Sequence, residues 1–225
     1  MMPRRRSLVR EAGARVDRPI TGAAILCVLA LTACSGTQSA TEEPAPSQAV
    51  PLPTGGIAGE PVSVYPLTML VTQESLGWER FVQPRREALD RADSLIAAFL
   101  TERAPEAVWV LPDELRTAAR RAPGMLVQPD QMATSLLRTP FEQVPDPLRI
   151  QLRGLTGVAG GKYAFIPASL VFYAEAENQG RAELTMVLVD VRLGRPVWRS
   201  VAEGTATDPW SATWIALKTL VPGLP

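Results

Sequence analysis

Three β-rich segments near the end of the chain decide the fold: KYAFIPASLVFYAEA at residues 162–176, RAELTMVLVDVR at 181–192 and VWRSVAEGTA at 197–206. The turn Asn178-Gln179-Gly180 joins the first two segments, and a Gly-Arg-Pro sequence that ends at Pro196 joins the last two. Short connections of this composition link strands that lie side by side and run in opposite directions. The three segments therefore predict an antiparallel meander.

Upstream of the meander, the pattern predicts helices that alternate with shorter strands. Residues 62–72 are almost continuously apolar, which is typical of a buried strand. Pro66 indicates that this strand lies at the edge of the sheet or contains an early bulge. Residues 84–103 predict an amphipathic helix with Leu89, Ala92, Ile96 and Phe99 on its apolar face. The charged residues assigned to its other face are Arg85, Arg86, Asp90, Arg91 and Asp93.

The remaining elements are shorter. Helices are predicted to begin at Pro112, at Pro129 and at Asp146, because proline and acidic residues favour the first turn. Short strands are predicted at residues 107–111 and 125–128. A closing helix follows Asp208, with an apolar face made by Trp210, Trp214, Leu217 and Val221. The order predicts one α+β domain over residues 60–225: a mixed sheet with a C-terminal antiparallel three-stranded meander and helices packed on the sheet.

Part of this pattern resembles a known bacterial fold. The segments KYAFI at 162–166, LVDVRLG at 188–194 and Val197-Trp198 resemble the amino-terminal domain of the Tol translocation protein and the curli-secretion lipoprotein. The resemblance implies that these residues form a β-hairpin and part of the hydrophobic core, and that they have no catalytic role. It also implies a role in scaffolding, secretion or activation of cell-wall enzymes. The sequence lacks the membrane hairpins that a secretion channel requires.

Composition excludes several kinds of chemistry. The 225 residues include no His and two Cys. A Ser-His-Asp triad, a Cys-His pair, a zinc site that uses His and a four-Cys zinc site are therefore all excluded. The 23 basic and 23 acidic side chains balance, so nothing favours a nucleic-acid partner. We expect no cofactor and no metal.

The first 33 residues have the pattern of a secretory signal. Residues 1–19 carry six Arg against two acidic side chains, and residues 22–31 form an apolar run. About ten apolar residues are too few to span a bilayer, which needs ~20. Arg5-Arg6 also fits twin-arginine export, but Glu11 and Asp17 separate it from the apolar run and disfavour that alternative.

Leu31-Thr32-Ala33-Cys34 resembles the lipobox of bacterial lipoproteins. The resemblance implies a diacylglyceryl group on Cys34, cleavage before it, and a fatty acyl chain such as palmitate on the new amino terminus. In the alternative interpretation, Cys34 follows an ordinary signal by chance. Cys27 lies in the apolar run and would be removed. Ser35, in place of an Asp, favours the outer membrane.

Residues 34–59 predict a disordered tether, because they are rich in Pro, Ser, Thr and Gly and lack an apolar period. Removal of residues 1–33 leaves the remaining chain with a net charge of −4. Such a body is not attracted to anionic lipid, so its membrane attachment would depend on the lipid on Cys34.

Candidate catalytic residues are few. Glu175 with Glu177 and Asp113 with Glu114 are the candidate carboxylate pairs, but a solvated hairpin turn and the helix dipole explain them better. Residues 157–162 loosely resemble a phosphate-binding loop, but they end a helix and open a strand, which is the wrong order. The sequence therefore predicts no enzyme.

The candidate partner contacts are Trp78 and Phe81, in a polar loop, and Arg116 and Arg120, on a basic helix face that also includes Arg121. The alternatives are a buried aromatic pair and a solvated helix face.

We predict a non-catalytic adaptor or assembly factor in the cell envelope, anchored by lipid on Cys34, with an envelope protein or peptidoglycan as partner. The alternatives are a carboxylate-based enzyme that acts on glycans, and a module that binds a lipid or small molecule. The sequence does not indicate an oligomeric state.

Overall fold

A computed structural model describes residues 49–175 and 178–221. Within these residues the chain forms four α-helices and a mixed sheet of six strands, which confirms the predicted α+β class. The helices are α1 (Arg85–Arg103), α2 (Pro112–Arg121), α3 (Asp146–Val158) and α4 (Pro209–Leu220). The strands are β1 (Pro61–Val64), β2 (Leu70–Thr72), β3 (Val108–Val110), β4 (Tyr163–Ala174), β5 (Gly180–Asp190) and β6 (Arg195–Ala206).

The sheet has the strand order β3-β1-β4-β5-β6, and β2 also pairs with β4. Strands β4, β5 and β6 form the predicted antiparallel meander, with Tyr163 opposite Asp190 at one end of the first hairpin. Asn178 has a φ of 61° in the turn that precedes β5. Asn tolerates this left-handed conformation better than most residues, which suits it to the turn.

The predicted strand over residues 62–72 is wrong as one element, because it divides into β1 and β2. Both pair in parallel with β4, and Pro66 lies in the break between them. Proline has no N–H to donate to a sheet, so the ladder cannot continue through it. Within the break, the Leu67 N–H donates to the Asp93 carboxylate at 2.8 Å instead of to a strand.

The strand predicted at residues 125–128 is also absent from the structure. This segment makes only an isolated bridge between Pro123 and Leu126. Gly124 has a φ of 80°, and a short 3₁₀ turn begins at Pro129. The N–H groups of Met125 and Leu126 both donate to the Ala122 carbonyl at 3.1 Å, so this backbone forms a turn and not a strand.

The sheet separates two apolar layers. One layer packs α1 and α4 against side chains such as Phe165 and Phe172. The other packs α2 and α3 against side chains such as Ile166 and Val187. Strand β4 is buried on both faces, which explains why its sequence is almost continuously apolar.

The packed domain begins earlier than residue 60. Leu52 and Ile57, which the sequence assigns to the tether, are buried in the core. The Leu52 N–H donates to the Leu220 carbonyl at 2.8 Å, and the Trp198 Nε1–H donates to the Val50 carbonyl at 3.1 Å. Two apolar side chains are too few to create a periodic pattern, but tertiary contacts hold the segment. The predicted signal, Cys34 and the first part of the tether lie outside the described residues.

Candidate functional site

A cavity of about 350 Å³ lies between α1 and α2. Charged side chains from both helices line it: Arg86, Asp90, Asp93, Asp113 and Arg116. We call this feature the Arg116 cleft. It contains one of the two arginines of α2 that the sequence selects as partner contacts.

Arg116 lies at the centre of the cleft, and its side chain is 11% exposed. Its Nη2 lies 2.7 Å from Asp93 and 2.8 Å from Asp130, and its Nη1 lies 2.9 Å from Asp113. Asp93 belongs to α1, and Asp130 belongs to the short 3₁₀ helix Pro129–Gln131. One guanidinium therefore connects three elements of the domain.

Burial dominates the electrostatics of Asp93. It raises the pKa of this carboxyl from 3.8 to about 6, although the Leu67 N–H and the Arg116 guanidinium oppose the rise. For Asp130, burial acts in the same direction but is outweighed, because the hydrogen bond and charge of Arg116 hold the pKa of Asp130 below its usual value. The pKa of Arg116 is raised, because the three aspartates outweigh its desolvation.

The arrangement fits a structural clamp better than a catalytic pair. Asp93 uses one carboxylate oxygen for the Leu67 N–H and the other for Arg116. Arg116 is enclosed by its own aspartates, so its guanidinium is not a free surface cation. Arg120, in contrast, is exposed and donates only to the hydroxyl of Thr117, at 2.8 Å. Of the two arginines, Arg120 is the one a partner can reach.

We expect Asp93→Asn to change how stability depends on pH. A raised carboxyl pKa means that the folded state holds the proton more tightly than the unfolded state between pH 3.8 and about 6. The stability of the wild type relative to Asp93→Asn should therefore fall by about 2–3 kcal/mol from pH 4 to pH 7. Urea unfolding at pH 4, 5, 6 and 7 measures this difference.

Asp113→Asn is the matched control, because it removes a carboxylate from the same arginine but at an exposed position. Parallel stability curves for the wild type and Asp93→Asn would show that Asp93 does not have the pKa assigned to it.

Trp78 and Phe81 lie in different surroundings. Trp78 is 4% exposed and packs edge-on against Phe172, with ring centroids 5.5 Å apart. The predicted role of Trp78 as a partner contact requires an exposed side chain, but the structure buries this residue in the core. Its ring packs over Gly180, where a Cβ would lie within 3 Å of it. Phe81 is 37% exposed and stays at the surface.

The carboxylates considered for catalysis have structural partners. Glu175 lies 2.7 Å from Arg181, and Glu177 lies outside the described residues. Asp113 pairs with Arg116, and Glu114 accepts the Leu111 N–H at 3.1 Å. In the described part of the chain, no group of three or more Cys, Asp or Glu side chains is placed to hold a metal ion.

The glycine-containing segment at 157–162 ends a helix, as its order in the sequence implies. Helix α3 ends at Val158, Gly160 has a φ of 84°, and β4 begins at Tyr163. A helix commonly ends in this way, with a glycine in the left-handed conformation just beyond it. This geometry differs from a phosphate-binding loop, which follows a strand and opens a helix.

No family model and no curated protein match the sequence. Similar solved structures include a PelC dodecamer from Paraburkholderia phytofirmans, which is 15% identical, covers 77% of this chain and 93% of that chain, and has a TM-score of 0.35. They also include LpoB from Escherichia coli, at 15% identity, with 87% and 90% of the two chains covered and a TM-score of 0.37.

A third similar structure is the lipoprotein GNA1162 from Neisseria meningitidis. It is 13% identical, covers 65% of this chain and 83% of that chain, and has a TM-score of 0.32. The solved structures that the chain resembles thus include a bacterial lipoprotein. The resemblance to the Tol and curli proteins stays a prediction. Among the described residues, no helix has the length and apolar character needed to cross a bilayer.

Proposed function

We propose that this protein is a lipid-anchored lipoprotein of the cell envelope that faces the periplasm and acts as a non-catalytic adaptor or assembly factor. One observation carries the proposal. Leu31-Thr32-Ala33-Cys34 stands between a basic and apolar segment and a Pro/Ser/Thr-rich segment that leads to a folded domain. This order is typical of a signal, a lipidated Cys and a tether. Ser35 favours the outer membrane as the site of attachment.

The geometry of the domain entrance supports a tethered arrangement. The chain joins the packed domain at Val50 and Leu52, beside β6 and the end of α4. In this proposal residues 35–48 serve as the tether, and at ~3 Å per residue their length allows a reach of about 40 Å. A domain held at this distance can contact a protein or peptidoglycan partner away from the membrane surface. Phe81 and Arg120 are the proposed contacts that lie at the domain surface.

We expect Cys34→Ala to prevent lipid attachment and the cleavage that depends on it, because the thiol that carries the lipid is removed. Cys27→Ala is the matched control, since Cys27 lies in the segment that cleavage discards. Fractionation of the envelope should find the wild type and Cys27→Ala in a membrane. Cys34→Ala should be released into the periplasm or remain as the uncleaved precursor.

The adaptor role is tested separately by affinity purification from envelopes solubilised after chemical crosslinking. The proposal expects a defined envelope protein or peptidoglycan fragments with the wild type, and less of either with Phe81→Ala or Arg120→Ala. A cleaved Cys34→Ala protein that stays in the membrane like the wild type would contradict the anchor. Hydrolysis of envelope glycan by the purified protein would contradict the non-catalytic role.

A further inference from the structure

A second cavity, of about 270 Å³, lies where the 3₁₀ turn Glu79–Phe81 meets the starts of α1 and α4. Ala88 and Trp210 are its buried residues. Its exposed residues are Arg80, Phe81, Gln83, Glu87 and Arg91. We call it the Arg80–Arg91 cleft. It is separate from the Arg116 cleft, which lies on the side of α1 that faces α2.

Both arginines of this cleft lie over aromatic rings. The Arg91 guanidinium carbon lies 4.8 Å from the centre of a Trp210 ring, and that of Arg80 lies 4.7 Å from the centre of the Phe81 ring. Stacking on a ring holds a guanidinium in place but leaves its N–H donors at the edge unused. Among the described residues, neither arginine has a carboxylate oxygen within 4 Å, although the charge of Arg91 contributes to lowering the pKa of Asp208. The cleft therefore presents oriented cationic donors.

The indole below Arg91 has an N–H group that lacks a partner. Trp210 is 6% exposed, and its indole Nε1–H is buried without a hydrogen-bond acceptor in the described part of the chain. This N–H is enclosed, so the donors that a ligand can reach are the two guanidinium groups. They match a ligand that carries acceptor oxygens and negative charge.

Two carboxylates near the cleft limit the charge of such a ligand. Asp208 accepts the N–H groups of Trp210 and Ser211, each at 3.0 Å, and thus caps α4. Glu87 lies in the cleft and would repel an anion, and it would repel a dianion more strongly. A singly charged, planar carboxylate fits the guanidinium edges better than phosphate under these conditions.

We propose that the Arg80–Arg91 cleft binds the carboxylate side chain of an acidic peptide segment. The carboxylate is held by the guanidinium groups of Arg80 and Arg91, and the aliphatic part of the same side chain packs on the exposed ring of Phe81. The proposal goes beyond the envelope function, because it requires neither the lipid anchor nor any particular location.

The test uses the full-length protein in detergent and follows the indole N–H signals by NMR. The probe is N-acetyl-alanyl-glutamyl-alanine amide, the glutamine analogue is its uncharged control, and inorganic phosphate is a third ligand. The Trp210 signal is assigned by its loss in Trp210→Phe. We expect the glutamyl peptide to shift this signal in a saturable way and the glutamine peptide to leave it unchanged.

Variants at the rim test the charges. Arg91→Gln or Arg80→Gln should raise the Kd at least tenfold, and Glu87→Gln should lower it several-fold. Arg153→Gln, at an exposed arginine of α3, should leave it unchanged. Unchanged signals from the other tryptophans show that each variant is folded. The proposal is overturned by an equal response to the glutamine peptide, by tighter binding of phosphate, or by normal binding in both arginine variants.

Discussion

Arg116→Met is expected to lower the free energy of unfolding by about 3–5 kcal/mol at pH 7, because it leaves the buried carboxylate of Asp93 without its cation. Methionine keeps most of the volume and the flexible chain of arginine, so the loss reports the charge and not a cavity. Asp93 is 5% exposed and has little access to water as a substitute partner. Equilibrium unfolding in urea measures the change.

Arg120→Met, one helical turn further along α2, is the matched control. Its guanidinium is exposed and, among the described residues, hydrogen-bonds to the Thr117 hydroxyl alone, so its loss should change the stability by less than about 0.5 kcal/mol. Adding Asp93→Asn to Arg116→Met should restore part of the lost stability, because the unpaired buried charge is removed. If Arg116→Met is as stable as Arg120→Met, the cluster around Arg116 is not a clamp.

Gly204→Ala is expected to destabilise the protein by about 3 kcal/mol, because α4 packs directly on this position of β6. An added Cβ would overlap the carbonyl of Ala212 and the amide of Ala216, and it would lie 2.9 Å from the Cβ of Ile215. Backbone atoms cannot rotate away as a side chain can, so the whole helix would have to shift. Thermal and urea unfolding measure the loss.

Gly157→Ala provides the contrasting control. Gly157 lies in α3, and a Cβ there would meet no atom within 4 Å. The substitution should raise stability by about 0.5–1 kcal/mol, because alanine loses less backbone entropy than glycine in a helix. If Gly204→Ala matches Gly157→Ala, the packing between α4 and β6 is looser than described.

The features that the sequence predicts well are those determined by local pattern. The meander follows from three long β-rich segments with short turns, and the start of α2 follows from Pro112 and two acidic residues. The burial of Trp210 follows from apolar residues at helical spacing. In each case, neighbouring residues in the sequence carry the information.

The interior position of Asp93 could not be predicted from the charge of its side chain. Its charge predicts a place on the polar face of α1, but in the structure it is buried, as are Ala92 and Ile96 of the same helix. Its charge is accommodated only because Arg116 and the Leu67 N–H reach it from other elements. One signal was present: Asp93 precedes Ile96 by three residues and therefore shares its side of the helix.

The surroundings of Trp78 and Leu52 also depend on distant parts of the chain. Trp78 is buried because Gly180, about one hundred residues later, leaves room for its ring. Leu52 is held by the end of α4. Both residues lie in segments with no apolar period, so no local pattern distinguishes them from solvated loop residues.

The most direct test of the lipid anchor is the mass of the amino-terminal peptide of the protein extracted from membranes. The proposal predicts a peptide that begins at Cys34 and carries a diacylglyceryl group on sulfur and a fatty acyl chain on nitrogen. A peptide that begins at another residue, or an unmodified Cys34, would contradict it.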